Sequence, residues 1–175
     1  MILKKLLFIV LLLCPGVHVS AQGGEQEANL KAAFIYNIAK YIDWGGYNNR
    51  NEFVIGVAGN TSKVIISLQE IAKNRTIQNK RIVVKPIDDL SEIKGCDIVF
   101  ISKECPFSLS SILSSLAPGE LTISESKGYA SRGTDFNFVI VDQRLKFEAN
   151  LKAISSSGLK AGSQLLKLAI IVDEG

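Results

Sequence analysis

The sequence predicts an α/β domain: a single, mixed but mostly parallel sheet flanked by helices on both faces, with a C-terminal β-hairpin and helix. Three observations carry this. Strand-like apolar runs alternate with helix-period segments between residues 53 and 124, an order that favours parallel pairing through crossovers. Two β-rich runs, Phe136–Val141 and Arg144–Glu148, are separated only by Asp142-Gln143, which is the signature of a hairpin. One long segment, Ala28–Trp44, repeats apolar residues at helical spacing and supplies a helix able to cover a sheet.

Met1–Ala21 is expected to be a signal peptide that is removed. Lys4 and Lys5 precede an unbroken apolar run, Leu6–Leu13, too short to span a bilayer, and Val19-Ser20-Ala21 offers small residues for cleavage. Cys14 follows Leu11-Leu12-Leu13, whereas a lipidation site wants a small residue directly before the cysteine. Gln22–Glu27 is polar and expected to be loose. The domain then runs from residue 28 to 175.

In the long helix, Leu30, Ala33, Phe34, Asn37, Ile38 and Tyr41 form the expected buried stripe, with Lys31, Lys40 and Asp43 off it. Gly45-Gly46 is the expected stop, where positive φ is easy. Phe53–Ala58 reads as a strand buried on both faces. Gly59 ends it, and Asn60 or Thr61 is available to cap a helix from about Ser62 to Asn74, with Val64, Ile65, Leu68, Ile71 and Ala72 as its apolar face. Arg81–Lys85 is the next strand, Asp88–Lys94 a polar connector or single turn, and Asp97–Ile101 the third strand. A short helix from about Phe107 to Leu116 follows Pro106, and Leu121–Ser124 is a fourth strand after the Pro118-Gly119 turn. Beyond the hairpin, Ala149–Ser157 reads as helical with a break at Gly158, and Ser163–Val172 as a final helix.

Composition excludes several kinds of chemistry. Without Lys4 and Lys5 the chain keeps 18 basic residues against 17 acidic ones, a net charge of +1. A nearly neutral domain with no basic stripe lacks the footprint of a nucleic-acid binder. The single histidine, His18, lies in the expected signal peptide, so the remainder has no histidine general base, triad or zinc ligand. No second apolar run approaches membrane-spanning length. Cys96 and Cys105 face an oxidising compartment in which pairing is common. The strand between them carries the chain away from Cys96 at about 3.3 Å per residue, and Cys105 would have to return to a Cα separation of about 6 Å. The alternative is a buried Cys96 with a surface Cys105.

Residue by residue, the case for an enzyme is weak, and no cofactor or metal is expected. Gly56–Ser62 joins strand to helix without the glycine pattern of a P-loop or dinucleotide site. Asp88, Asp89 and Glu92 read as a solvated connector before a cation site. Ser110, Ser111, Ser114 and Ser115 lack a histidine partner. Two aromatic clusters are more informative. Trp44, with Tyr41 and Tyr47, either packs over the helix end or contributes to an exposed patch for a partner. Gly128–Asp135 brackets Tyr129 and Arg132 with glycines; it is either a plain turn with a paired arginine or a recognition loop. The partner-binding candidates are therefore Trp44, Tyr47, Tyr129 and Arg132. A small-ligand pocket at the carboxyl ends of the strands, near Gly59 and Ser102, is the alternative function.

The same stretches carry a resemblance. Lys31–Trp44 (KAAFIYNIAKYIDW) resembles the opening signature of the YfiR family of bacterial periplasmic proteins. Gly95–Ile101 (GCDIVFI), Leu145–Asn150 (LKFEAN), Gly158-Leu159 and Ser163–Ala169 (SQLLKLA) match in the same order, over about Leu30–Ile171. Gly45, Thr134 and Gly162 depart from the residues common at those places, and the two cysteines do not reproduce the family's better-known disulfide pattern. The resemblance implies a non-enzymatic periplasmic regulator that represses an inner-membrane signalling protein, a diguanylate cyclase, by binding its periplasmic part. Lower cyclic di-GMP and less biofilm follow from that action. It further implies an outer-membrane lipoprotein that sequesters the repressor, and a homodimer.

Overall fold

The structure, a computed structural model, describes residues 21–46, 50–59 and 62–172. The expected signal peptide up to Ser20, Tyr47 and the capping candidates Asn60 and Thr61 lie outside the described residues. The first helix, α1, is Ala21–Tyr41. It takes in residues 22–27, the segment expected to be loose, and it stops before the expected Gly45-Gly46. Ile42–Asp43 (β1) instead pairs antiparallel with Lys160–Ala161 (β9), and Gly45 and Gly46 then turn the chain at φ 56° and 76°.

The main sheet has eight strands. In chain order they are β2 (Glu52–Ala58), β3 (Thr76–Ile77), β4 (Lys80–Ile87), β5 (Ile98–Ile101), β6 (Leu121–Ser124), β7 (Phe136–Val141), β8 (Arg144–Asn150) and β10 (Ile170–Val172). Their spatial order is β10-β8-β7-β6-β5-β2-β4-β3. The five strands β4, β2, β5, β6 and β7 are mutually parallel, as the alternation of elements requires. The short β3 adds an antiparallel edge that the sequence did not signal. The β7–β8 hairpin is antiparallel as expected, and Asp142 and Gln143 turn at φ 50° and 58°, the pair of positive values of a type I′ turn.

The expected final helix over Ser163–Val172 is corrected by the structure. Only Ser163–Leu166 is helical (α5), and Ile170–Val172 forms β10, parallel to β8. Three consecutive β-branched residues favour a pleated edge over a helix.

Because strand side chains alternate, the sheet has two cores. On one face α1 and α2 (Lys63–Asn74) cover Phe53, Ile55, Phe100, Ile123, Phe136 and Phe147. On the other, the 3-10 turn Leu90–Ile93 and α3 (Leu109–Ser115) cover Val54, Ala58, Val99 and Ile101. A short α4 (Leu151–Ser156) is capped by the Asn150 side chain, which accepts from the Ala153 N–H.

The face that α1 buries also differs from expectation. Ala28, Lys31, Ala32, Ile35, Ile38 and Ala39 are buried, while Leu30 and Tyr41 are each 46 % exposed. Both sets obey helical spacing. The alanines win because they allow the helix axis close to the sheet, leaving the larger residues on its flank.

Candidate functional site

Two of the four predicted partner-binding residues come together. Tyr129 and Arg132 lie in the loop between β6 and β7, with the guanidinium 5.1 Å from the ring centroid. Arg132 is exposed, and Tyr129 is half-buried against the α3 core. The loop is held from behind, where the Asn150 amide donates to the Ala130 carbonyl at 2.8 Å. Trp44 does not join them. It belongs to the opposite core, is 4 % exposed, donates its indole N–H to the Ala39 carbonyl at 2.9 Å, and packs edge-on against Phe53 at 4.9 Å. Of the two readings of Trp44, packing over the helix end is the one realised, so it forms no exposed patch. Tyr47 lies outside the described residues.

The exposed apolar surface is elsewhere. Phe34 on the flank of α1 meets Phe138 and Phe147 of the hairpin at 6.1 and 5.7 Å. Beside it, an open groove of about 460 Å³ runs between α1 and α5, lined by Phe34, Ile38, Tyr41, Phe147, Leu165 and Leu168. Leu168 is 69 % exposed. Sequence reasoning assigned Leu30, Phe34 and Tyr41 to the core stripe and Leu168 to a packed helix, so this groove was not foreseen. Its only sequence signal is that α1 carries more apolar residues than one buried stripe uses.

A second site lies where the parallel strands end. The Lys31 ammonium, on the buried face of α1, pairs with Glu125, the first residue after β6, and with Glu27 one turn earlier. Burial opposes the charge on Lys31, but the bonds from Glu125 and Glu27 outweigh it and hold its pKa above the ordinary lysine value. The hydrogen bond from Lys31 holds Glu27 below the usual carboxylate range. Glu125 also accepts from the backbone N–H of Lys103 at 2.9 Å. An open cleft of about 490 Å³ adjoins this pair, between Lys103, Lys127, Phe138, Ile140 and Leu145. At the expected place Gly59 and Ser102 touch, since a Cβ on Gly59 would stand 2.0 Å from the Ser102 hydroxyl. The open space is displaced toward α1 and the hairpin.

Other polar groups have structural partners. Glu92 accepts the N–H groups of Asp88 and Asp89, and Asp89 those of Ser91, so these carboxylates cap a turn. The Ser108 hydroxyl bonds those of Ser110 and Ser111 and the Ser111 N–H at the start of α3. Cys96 is buried and Cys105 half-buried, and both are free. Burial pushes the Cys96 thiol up to about 11, far from the reactive thiolate range. Asp135 is buried at the start of β7, where Thr122 donates twice and Ser157 once to its carboxylate. Burial pushes it up to about 6 despite those bonds. Among the described residues no helix is long and apolar enough to cross a membrane.

Comparison with known proteins places this arrangement. Two solved structures share the fold at low identity. A conserved domain protein from Vibrio cholerae is 10 % identical, with a TM-score of 0.51 over 82 % of this chain. The ABC domain from Streptococcus pneumonia, in complex with L-Trp, is 11 % identical, with a TM-score of 0.52 over 83 % of this chain. The chain spans 59 % and 60 % of those two structures. No curated protein matches in sequence. The YfiR/HmsC-like family model matches residues 28–170, which takes in α1 from Ala28 onward, the whole sheet up to the start of β10, and every motif that carried the resemblance. The chain belongs to the YfiR/HmsC-like family.

Proposed function

We propose that this protein is a periplasmic regulator that binds the periplasmic part of an inner-membrane signalling protein, a diguanylate cyclase, and represses it, lowering cyclic di-GMP and biofilm. Family membership supports the regulatory role. The observation that carries the binding role is the apolar groove beside α1, where Tyr41 and Leu168 stand in solvent. Contiguous apolar surface of this kind costs free energy until a partner covers it. Tyr129 and Arg132 form a second contact on the α3 side, where an aromatic and a guanidinium are already stacked. Repression requires the protein to bind one state of the cyclase more tightly than the other, since equal affinity shifts nothing.

The test is cellular cyclic di-GMP in a strain lacking the gene, complemented with wild type, Leu168→Glu or Arg132→Ala. The expected result is a rise on deletion, restoration by wild type, and failure of Leu168→Glu to restore it despite normal protein levels. Unchanged cyclic di-GMP on deletion overturns the reading. Full complementation by both variants overturns the surface assignment alone.

A further inference from the structure

We propose that the cleft at the carboxyl ends of the strands binds a small amphipathic organic anion, an aliphatic carboxylate, independently of the protein-binding groove. Position is the first argument. β5, β6 and β7 run parallel, and the residues that follow β5 and β6, Lys103 and Glu125, line the cleft. Ligands of open α/β sheets bind outside such strand ends. The volume, about 490 Å³, falls within the roughly 300–1,000 Å³ that small-molecule sites occupy.

The walls have two characters. On the hairpin side, Phe138, Ile140 and Leu145 share the face that α1 covers elsewhere; the helix does not reach the hairpin tip, where Ile140 is 61 % exposed. On the other side are charges whose partners can be followed one by one. Lys31 is held by Glu125 and Glu27, and the other Glu125 oxygen is held by the Lys103 N–H. Glu148 accepts from the Asn137 amide. Lys103 and Lys127 line the cleft with no carboxylate at ion-pair distance among the described residues, and Lys103 acts on Glu27 only through its field. The site therefore offers an uncovered apolar wall next to two uncommitted cations. A carboxylate head with an aliphatic body satisfies both at once, which a bare phosphate or a cationic amphiphile does not.

Calorimetric titration of the purified protein with sodium decanoate, below micelle formation, tests this. Saturable one-to-one binding is expected. Decan-1-ol and decyltrimethylammonium should each bind at least about tenfold more weakly, because the charge-assisted bonds are then missing. The Lys103→Gln/Lys127→Gln variant, altered only at exposed positions, should keep its melting temperature and lose decanoate affinity by the same factor. Absence of saturable binding, equal affinity for the cationic amphiphile, or an unaffected double variant each overturns the proposal. The cyclic di-GMP test with Leu168→Glu is a separate readout, so either reading can fail alone.

Discussion

Replacing Asp135 by Asn isolates one buried charge and its effect on pH. The Asp135 side chain is closed off by Thr122, Ser157 and the start of β7. Its pKa rises from 3.8 to about 6 on folding, chiefly through burial. The folded chain thus holds this proton more tightly than the unfolded chain. The resulting stabilisation is complete below about pH 4 and is lost as pH rises through about 6. At 1.36 kcal/mol per unit, the ionised carboxylate costs about 3 kcal/mol at neutral pH. Asparagine keeps the shape: its carbonyl can accept from Thr122 while its amide donates to the Ser157 hydroxyl. Urea unfolding followed by the fluorescence of Trp44, the single tryptophan, at several pH values between 4 and 7.5 measures the difference directly. Relative to wild type, Asp135→Asn should gain about 3 kcal/mol across that interval, most of it between pH 4 and 6. Other carboxylates titrate in both proteins and cancel. A difference that is flat with pH, or of opposite sign, would refute the assignment of burial as the dominant influence.

Further expectations follow from individual contacts. Lys31→Met leaves Glu125 buried beside a single backbone donor and should cost about 3–5 kcal/mol in denaturant unfolding; adding Glu125→Gln should recover at least half. Gly56→Ala places a Cβ 2.5 Å from Ile87 Cδ1 and 2.8 Å from Cys96 Sγ, an overpacking expected to lower stability by about 1–3 kcal/mol in the same assay. Asn150→Ala removes the cap of α4 and one of the two bonds that the Ala130 carbonyl accepts, leaving the one from the Gly133 N–H. A loss of about 1–2 kcal/mol should result, with faster amide exchange in the Tyr129–Arg132 loop. Leu168→Glu should leave the melting temperature within a degree or two of wild type, as exposed positions do, and its effect should appear only in the cyclic di-GMP assay.

The central strands were legible because burial on both faces makes them unbroken apolar runs, as in Phe53–Ala58 and Ile98–Ile101. The hairpin was legible because its turn is two residues long. Pattern alone misled at α1, where Leu30, Phe34 and Tyr41 repeat as regularly as Ala28, Ala32 and Ile35; choosing between them requires knowing that the sheet demands a close approach. It misled again at Ile170–Val172, where a leucine-rich helical period runs into β-branched residues whose partner, β8, is not local. Neither site was fully visible. The groove is made of residues that look like core, and Lys31 in mid-helix looks like a solvated charge until Glu125 is placed beside it.

The Lys31–Glu125 pair spans 94 residues, so a charge on the buried face of α1 depends on a distant part of the chain for its main counterion. Without the end of β6, the apolar stripe of α1 carries an ammonium whose remaining carboxylate partner is the half-exposed Glu27. Docking that stripe early onto β2 and β4, or onto another nascent chain, would desolvate a lysine without its main counterion. Docking of α1 onto the sheet is therefore least costly once the end of β6 is in place to receive the ammonium.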